Sequence, residues 1–202
     1  MSGIFITGTD TEVGKTFVTL LLARYFIDQG LDVGVMKPIA CGPMQENDAR
    51  FLKKHLKLRD PLELINPIRL KHALAPYTAA QLVQKKIELN KIFFAFNRLS
   101  KSHDLVLVEG IGGALVPITR RYHVADLARD LALPTIIVAR AGLGTLNHTL
   151  STIEVLKNRR INILGIILNG YKGRDLSEKT NADDLEKISG VPILAKIKWQ
   201  KK

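Results

Sequence analysis

Gly8-Thr9-Asp10-Thr11-Glu12-Val13-Gly14-Lys15-Thr16 stands between a short apolar run at residues 4–7 and a helix-like stretch at residues 15–29. A strand before, glycines within and a helix opening on Lys-Thr are the setting a phosphate-binding loop requires. Consecutive backbone N–H groups and the helix N-terminus make a cradle for phosphate oxygens. Gly14 allows close backbone approach, Lys15 places a cation on the terminal phosphates, and Thr16 offers a hydroxyl to magnesium. The first glycine lies one residue further from Gly-Lys-Thr than in the common G-x-x-x-x-G-K-[ST] pattern, so the loop is a variant of that motif.

Outward from the loop, apolar runs of strand length recur at residues 33–37, 105–109, 135–139, 164–169 and 193–197. They are near-continuous rather than alternating, as parallel strands buried on both faces are. Helix-like stretches separate them, at 48–55, 77–85, 89–102, 124–131, 145–158 and 182–189. Gly30 closes the first helix, and Gly190 with Pro192 closes the last. The alternation predicts βαβ units, a mostly parallel sheet with helices on both faces, and a three-layer P-loop NTPase-type fold. With no repeat and no linker, the expectation is a single domain over residues 1–202. In such sheets ligands sit beyond the carboxyl ends of the strands. Five polar or glycine-rich segments fall there: 8–16, 37–42, 109–113, 140–144 and 169–173.

Bulk properties narrow the reading. The chain has 202 residues, is 46% apolar and carries one cysteine, Cys41. That suits a globular α/β protein and leaves no internal disulfide framework. No run approaches the roughly 18 apolar residues of a membrane span, and the strand pattern starts at once after Met1, which leaves no room for a signal peptide. The cytoplasm is the expected compartment. The net charge is +11, but the basic residues are scattered, without the interleaved aromatics of single-strand binders. A solvated basic surface is expected, with no nucleic acid and no membrane as partner.

Two acids can complete a magnesium site. Glu109 ends the apolar run 105–108 and precedes Gly110-Ile111-Gly112-Gly113. Magnesium takes few carboxylates beside phosphates and waters. Asp48 is ambiguous: Asn47-Asp48 can equally cap the helix that follows. Lys37 closes the second strand before Pro38 and points its charge at the same edge as Lys15.

Taken together these segments resemble dethiobiotin synthetase. The loop 8–16 is similar to that family's phosphate loop, extra residue included. Lys37-Pro38-Ile39-Ala40-Cys41-Gly42 resembles its lysine loop, Asn47-Asp48-Ala49 its acidic motif, and Val108-Glu109-Gly110-Ile111-Gly112-Gly113 its second acid and glycine loop. Gly142-Leu143-Gly144-Thr145-Leu146-Asn147-His148-Thr149 resembles its glycine–asparagine–histidine segment. The match spans most of the chain in the same order.

The resemblance implies an ATP- and Mg2+-dependent ligase that joins 7,8-diaminononanoate with CO2 to form dethiobiotin. The route runs through a carbamate and a carbamic-phosphoric anhydride, with ADP and phosphate released. It makes Lys37 and Lys15 catalytic and assigns magnesium to Thr16, Asp48 and Glu109. Nucleotide contacts fall to Glu12, Val13, Gly14, Lys15, Thr16, Phe17, Asp48, Glu109, Gly110, Ile111, Gly112, Asn169 and Gly170, with Asn169 on adenine. Thr11, Cys41, Gly144, Asn147 and His148 line the diamine site, which the family places at a homodimer interface. Cys41 stands where the family usually shows serine, and its nearness to Lys37 in sequence suggests a reactive thiolate. Lys198, Trp199 and Gln200 would add to the base pocket. A corrinoid-type amidoligase lacks support because no glutamine-hydrolysing domain accompanies the loop. A partitioning-type switch ATPase would carry a lysine near the loop's start, where Asp10 and Thr11 stand.

Overall fold

Glycine and three apolar residues open β1 (Gly3–Gly8), which is buried along its whole length. It is the kind of strand that can only sit mid-sheet. The structure is a computed structural model that describes residues 3–43, 47–173 and 175–199. Its main sheet also holds β2 (Val33–Met36), β5 (Leu105–Gly113), β8 (Thr135–Arg140), β9 (Ile163–Tyr171) and β10 (Ile193–Lys198). The order is β10-β9-β8-β1-β5-β2, and every neighbouring pair is parallel.

Side-chain alternation builds the three layers. Phe5, Val106, Val108, Ile137, Ala139, Ile166 and Leu168 face one side. There they meet α5 (Leu89–Ser102), α6 (Val124–Asp130), α7 (Thr145–Asn158) and α8 (Leu176–Ser189). Ile4, Ile6, Leu105, Leu107, Ile136, Val138 and Ile167 face the other side, against α1 (Lys15–Asp28) and α2 (Asp48–Leu56). The period-2 switch lets one apolar run supply two cores. The chain runs from β1 out to β2, returns through β5, then crosses to β8 on the far side of β1. That reversal opens a crevice at the carboxyl ends of β1, β5 and β8.

Several elements differ from the sequence expectation. Short pieces went unread: β3 (Ile39–Cys41), α3 (Leu62–Ile65), β4 (Ile68–Leu70), β6 (Pro117–Thr119) and β7 (Tyr122–His123), while α4 is Pro76–Leu82. β3 and β4 form a parallel two-stranded ladder, and β6 and β7 an antiparallel one. Three-residue strands are too short to show a period. β5 runs four residues past Glu109, which is therefore inside a strand rather than at its end. α8 starts at Leu176, six residues before the expected start, with Asp175 as its N-cap accepting from the Ser177 N–H at 2.9 Å. Its first turns hold the buried polar residues Glu178 and Asn181, which hide the apolar face. The helix ends read as stops behave so: Gly30 and Gly190 take φ of 88° and 68°. Among the described residues no helix is long and apolar enough to cross a membrane.

Candidate active site

The loop between β1 and α1 is held open by its own geometry. Gly14 caps α1 at φ 92° with no side-chain cap, which leaves the first N–H groups of the helix without one of their usual partners among the described residues. A Cβ on Gly14 would stand 2.0 Å from Asn169 Nδ2. Glu12 also adopts a left-handed conformation, φ 58°. Asn169, at the carboxyl end of β9, donates Nδ2 to the Val13 carbonyl at 3.0 Å. It therefore buttresses the loop on the inner side. The Lys15 ammonium folds over the cradle and donates to the Asp10 carbonyl at 2.8 Å. The Asp10 carboxylate accepts from the Thr11 N–H at 2.7 Å and pairs with Arg140 at 3.3 Å, tying the loop to the end of β8.

Below the loop lies a charged knot. Lys37 and Glu109 are 3% and 0% exposed, and their Nζ–Oε1 distance is 2.5 Å. Lys37 Nζ also meets Asp48 Oδ2 at 2.8 Å and the Gly110 carbonyl at 3.1 Å. Thr16 donates its hydroxyl to the same Glu109 oxygen at 2.8 Å. The helix-cap reading of Asp48 fails, because Asn47 is the cap: its Oδ1 accepts from Ala49 N and Arg50 N. Asp48 is thereby free to face Lys37.

Electrostatics follow from burial and neighbours. Burial alone would push Lys37 down, but Glu109 and Asp48 more than offset it and its pKa is raised. Burial would raise Asp48, and the Lys37 charge instead holds it below the usual carboxylate range. For Lys15 the balance goes the other way: burial, then repulsion from Lys37, outweighs the pull of Glu109, Asp48 and Asp10 and lowers it to about 8. One cation is thus locked on, and the other is poised to welcome an anion.

The donor set suits magnesium. Thr16, Asp48 and Glu109 offer oxygens only, and Glu109 Oε2 is buried without a hydrogen-bond partner. Two carboxylates and a hydroxyl leave room for phosphate and water ligands, as that ion prefers. Among the described residues no group of three or more His, Cys, Asp and Glu side chains is placed to hold a metal ion by itself.

The remaining expected residues spread around this centre. Gly110 is buried and Gly112, at φ 58°, lies beside Thr11. Cys41 ends β3, half-buried. Burial pushes its thiol up to about 11, outweighing the pull of Lys37, so the expected thiolate is corrected to a protonated thiol. Phe17 is half-buried on α1. Gly144 caps α7 in a left-handed conformation without a side-chain cap. Asn147 is exposed there, and His148 is half-buried on the same helix. Gly170 faces Trp199, whose N–H donates to the Tyr171 carbonyl at 2.8 Å and whose ring lies 5.5 Å from Lys172 Nζ. Lys198 ends β10 beside it, while Gln200 lies outside the described residues. Sequence reasoning missed Arg140, Glu178, Asn181 and Asn66. Glu178 accepts from the N–H groups of Lys172 and Gly173, and Asn181 donates to the carbonyls of Ala141 and Gly142. Both brace loops of the site, and neither carries a motif.

The family profile described as an AAA domain matches residues 2–202. The ATP-dependent dethiobiotin synthetase BioD of Thermodesulfovibrio yellowstonii is 42% identical over 208 residues, which cover 96% of this chain and 87% of that protein. The chain belongs to the dethiobiotin synthetase family. The BioD protein of Nitrosopumilus maritimus is 39% identical, covering 100% of this chain and 90% of its own. Likeness extends to solved structures of other names. MinD in the MinC:MinD cell division complex of Aquifex aeolicus superposes with a TM-score of 0.63 over 99% of this chain and 82% of that one, at 17% identity. At that identity the likeness shows a shared fold alone.

Proposed function

We propose that this chain, working as one unit over residues 1–202, is an ATP-dependent ligase that converts 7,8-diaminononanoate and CO2 to dethiobiotin with magnesium. One amine adds to CO2 and loses a proton, giving a carbamate. A carbamate oxygen attacks the γ-phosphorus of ATP as the bond to the β–γ bridging oxygen breaks, so ADP leaves. The second amine then attacks the carbamoyl carbon, and the C–O bond breaks to release phosphate and close the ring.

The observation that carries this reading is the convergence of Lys15, Lys37, Thr16, Asp48 and Glu109 beneath one uncapped helix end. Two anions, a carbamate and a triphosphate, must be brought together, and phosphoryl transfer asks for positioning and charge neutralisation more than for a protein nucleophile. Lys15 binds the terminal phosphates. Lys37, kept protonated by Glu109 and Asp48, neutralises charge where it builds. Thr16, Asp48 and Glu109 would hold magnesium, which when bound screens the phosphate oxygens. Thr11 and Cys41 face the diamine. The exposed loop Gly142-Leu143-Gly144, with Leu143 83% exposed, suits a homodimer contact that brings Asn147 and His148 to the neighbouring site.

The test is purified protein with ATP, magnesium, bicarbonate and the diamine, analysed for dethiobiotin by mass spectrometry. Product is expected, and Lys37→Met is expected to lose on the order of 10²–10³ in rate. ATP hydrolysis without dethiobiotin would sink the reading. Light scattering tests the dimer.

A further inference from the structure

Lys37 and Asp48 sit on different elements, yet one buried amide joins them. Lys37 lies just past β2, an edge strand, so the sheet provides no partner on its outer side. Its N–H donates instead to the Ile65 carbonyl at 2.7 Å. Its carbonyl accepts from Asn66 Nδ2 at 2.8 Å, and the same amide nitrogen reaches the Ile68 carbonyl at 3.0 Å. Asn66 Oδ1 then accepts from Asn47 Nδ2 at 3.1 Å. Asn47 Oδ1 caps α2, whose first residue is Asp48.

The chain of bonds has one consistent orientation. Asn47 must turn its oxygen to the two helix N–H groups, which leaves its nitrogen for Asn66. Asn66 must then offer its oxygen, which sends both of its hydrogens to the two carbonyls. Reversing either amide sets donor against donor at one end and acceptor against acceptor at the other. Asn66 is 2% exposed, so each of these groups is costly to leave unmade.

We propose that Asn66 is the positioning residue that fixes Lys37 relative to Asp48, through the Asn47 amide that starts α2. The proposal rests on the ligase reading. It explains why a fully used asparagine is buried where an apolar residue could pack. The bridge ties the backbone of the catalytic lysine to the start of the helix bearing the second magnesium carboxylate, beside the direct Lys37–Asp48 ion pair at 2.8 Å.

Asn47→Ser separates the bridge from the cap, since serine caps helices well but cannot donate across to Asn66. Its melting midpoint should stay near the parent's. Its kcat should fall about tenfold, in line with the sensitivity of oriented reactants to small displacements, while KM for ATP stays within about twofold because the phosphate loop is untouched. Magnesium enhancement of ADP binding, read by calorimetry, should weaken in the variant. Asn66→Ala should move the same quantities further, and the double variant should be no worse than Asn66→Ala, because both break one bridge. Unchanged kcat with unchanged magnesium enhancement in Asn47→Ser overturns the proposal, as do additive effects in the double variant. A parent that makes no dethiobiotin defeats the ligase reading instead, and the calorimetric comparison then still decides for or against the bridge.

Discussion

Replacing Lys15 by methionine should abolish activity and make the free protein more stable. Lys15 is 7% exposed, and burial with repulsion from Lys37 brings it from the ordinary 10.5 to about 8. At roughly 1.4 kcal/mol per pKa unit, the charged form costs about 3 kcal/mol in the fold. Methionine keeps the stem and removes that cost, but forfeits the bond from Nζ to the Asp10 carbonyl, worth about 1 kcal/mol. The net gain of about 2 kcal/mol corresponds to roughly 4–8 °C in a chain of this size. The pH dependence is specific. Below about 8 the lysine is protonated in both folded and unfolded chains and the cost is constant. From about 8 to 10.5 the unfolded chain holds a proton that the folded chain has lost, so parent stability rises and the gap to Lys15→Met closes. Scanning calorimetry from pH 7 to 10, with and without Mg·ATP, measures this. Nucleotide should stabilise the parent more than the variant, since it supplies the anion Lys15 awaits. A variant midpoint at or below the parent's at pH 7.5, with a gap constant to pH 10, refutes the reasoning.

Gly14→Ala should lower the melting midpoint and destroy ATP binding together, because its Cβ would meet Asn169 Nδ2 at 2.0 Å and its φ is 92°; unchanged calorimetric affinity for ATP would contradict the loop geometry. Cys41 should alkylate with iodoacetamide at pH 8 on the order of a hundredfold more slowly than a free thiol, since burial holds it near 11; rapid labelling followed by mass spectrometry would show the thiol is not buried as described. His103 bridges Asp32 and Asp60. Burial would lower its pKa, but the two carboxylates raise it above 6.5. Its contribution is complete below 6.5 and fades as pH rises through the folded value, so the midpoint gap between parent and His103→Gln should shrink from pH 6 to pH 9. A gap that grows with pH would reverse that assignment.

Long-range order was legible where one residue type has few alternatives. Apolar runs such as Leu105-Val106-Leu107-Val108 admit little but a buried parallel strand, and the loop 8–16 names its own chemistry. Lys37 and Glu109 could be placed because each follows such a run. Asn66 could not be. Its role depends on β2 being an edge strand and on the chain returning to it 29 residues later, and no local spacing encodes that. The first turns of α8 were hidden for a related reason: Glu178 and Asn181 are polar yet buried, bonded to loop backbone. Cys41 misled in the opposite direction, since nearness to Lys37 in sequence gave no measure of how deeply the thiol is sunk.

The margin of the sheet beside β2 carries one more consequence. Unpaired strand edges recruit other chains, and folded proteins keep them short, charged or covered. β10, at the opposite margin, alternates Lys196 and Lys198 outward. β2 has only four residues, and the first peptide groups beyond it are taken by Ile65 and Asn66. The contacts that aim Lys37 also blunt a sticky edge. Damage to residues 65–68 should therefore lower the soluble yield as well as the turnover of the protein that does fold.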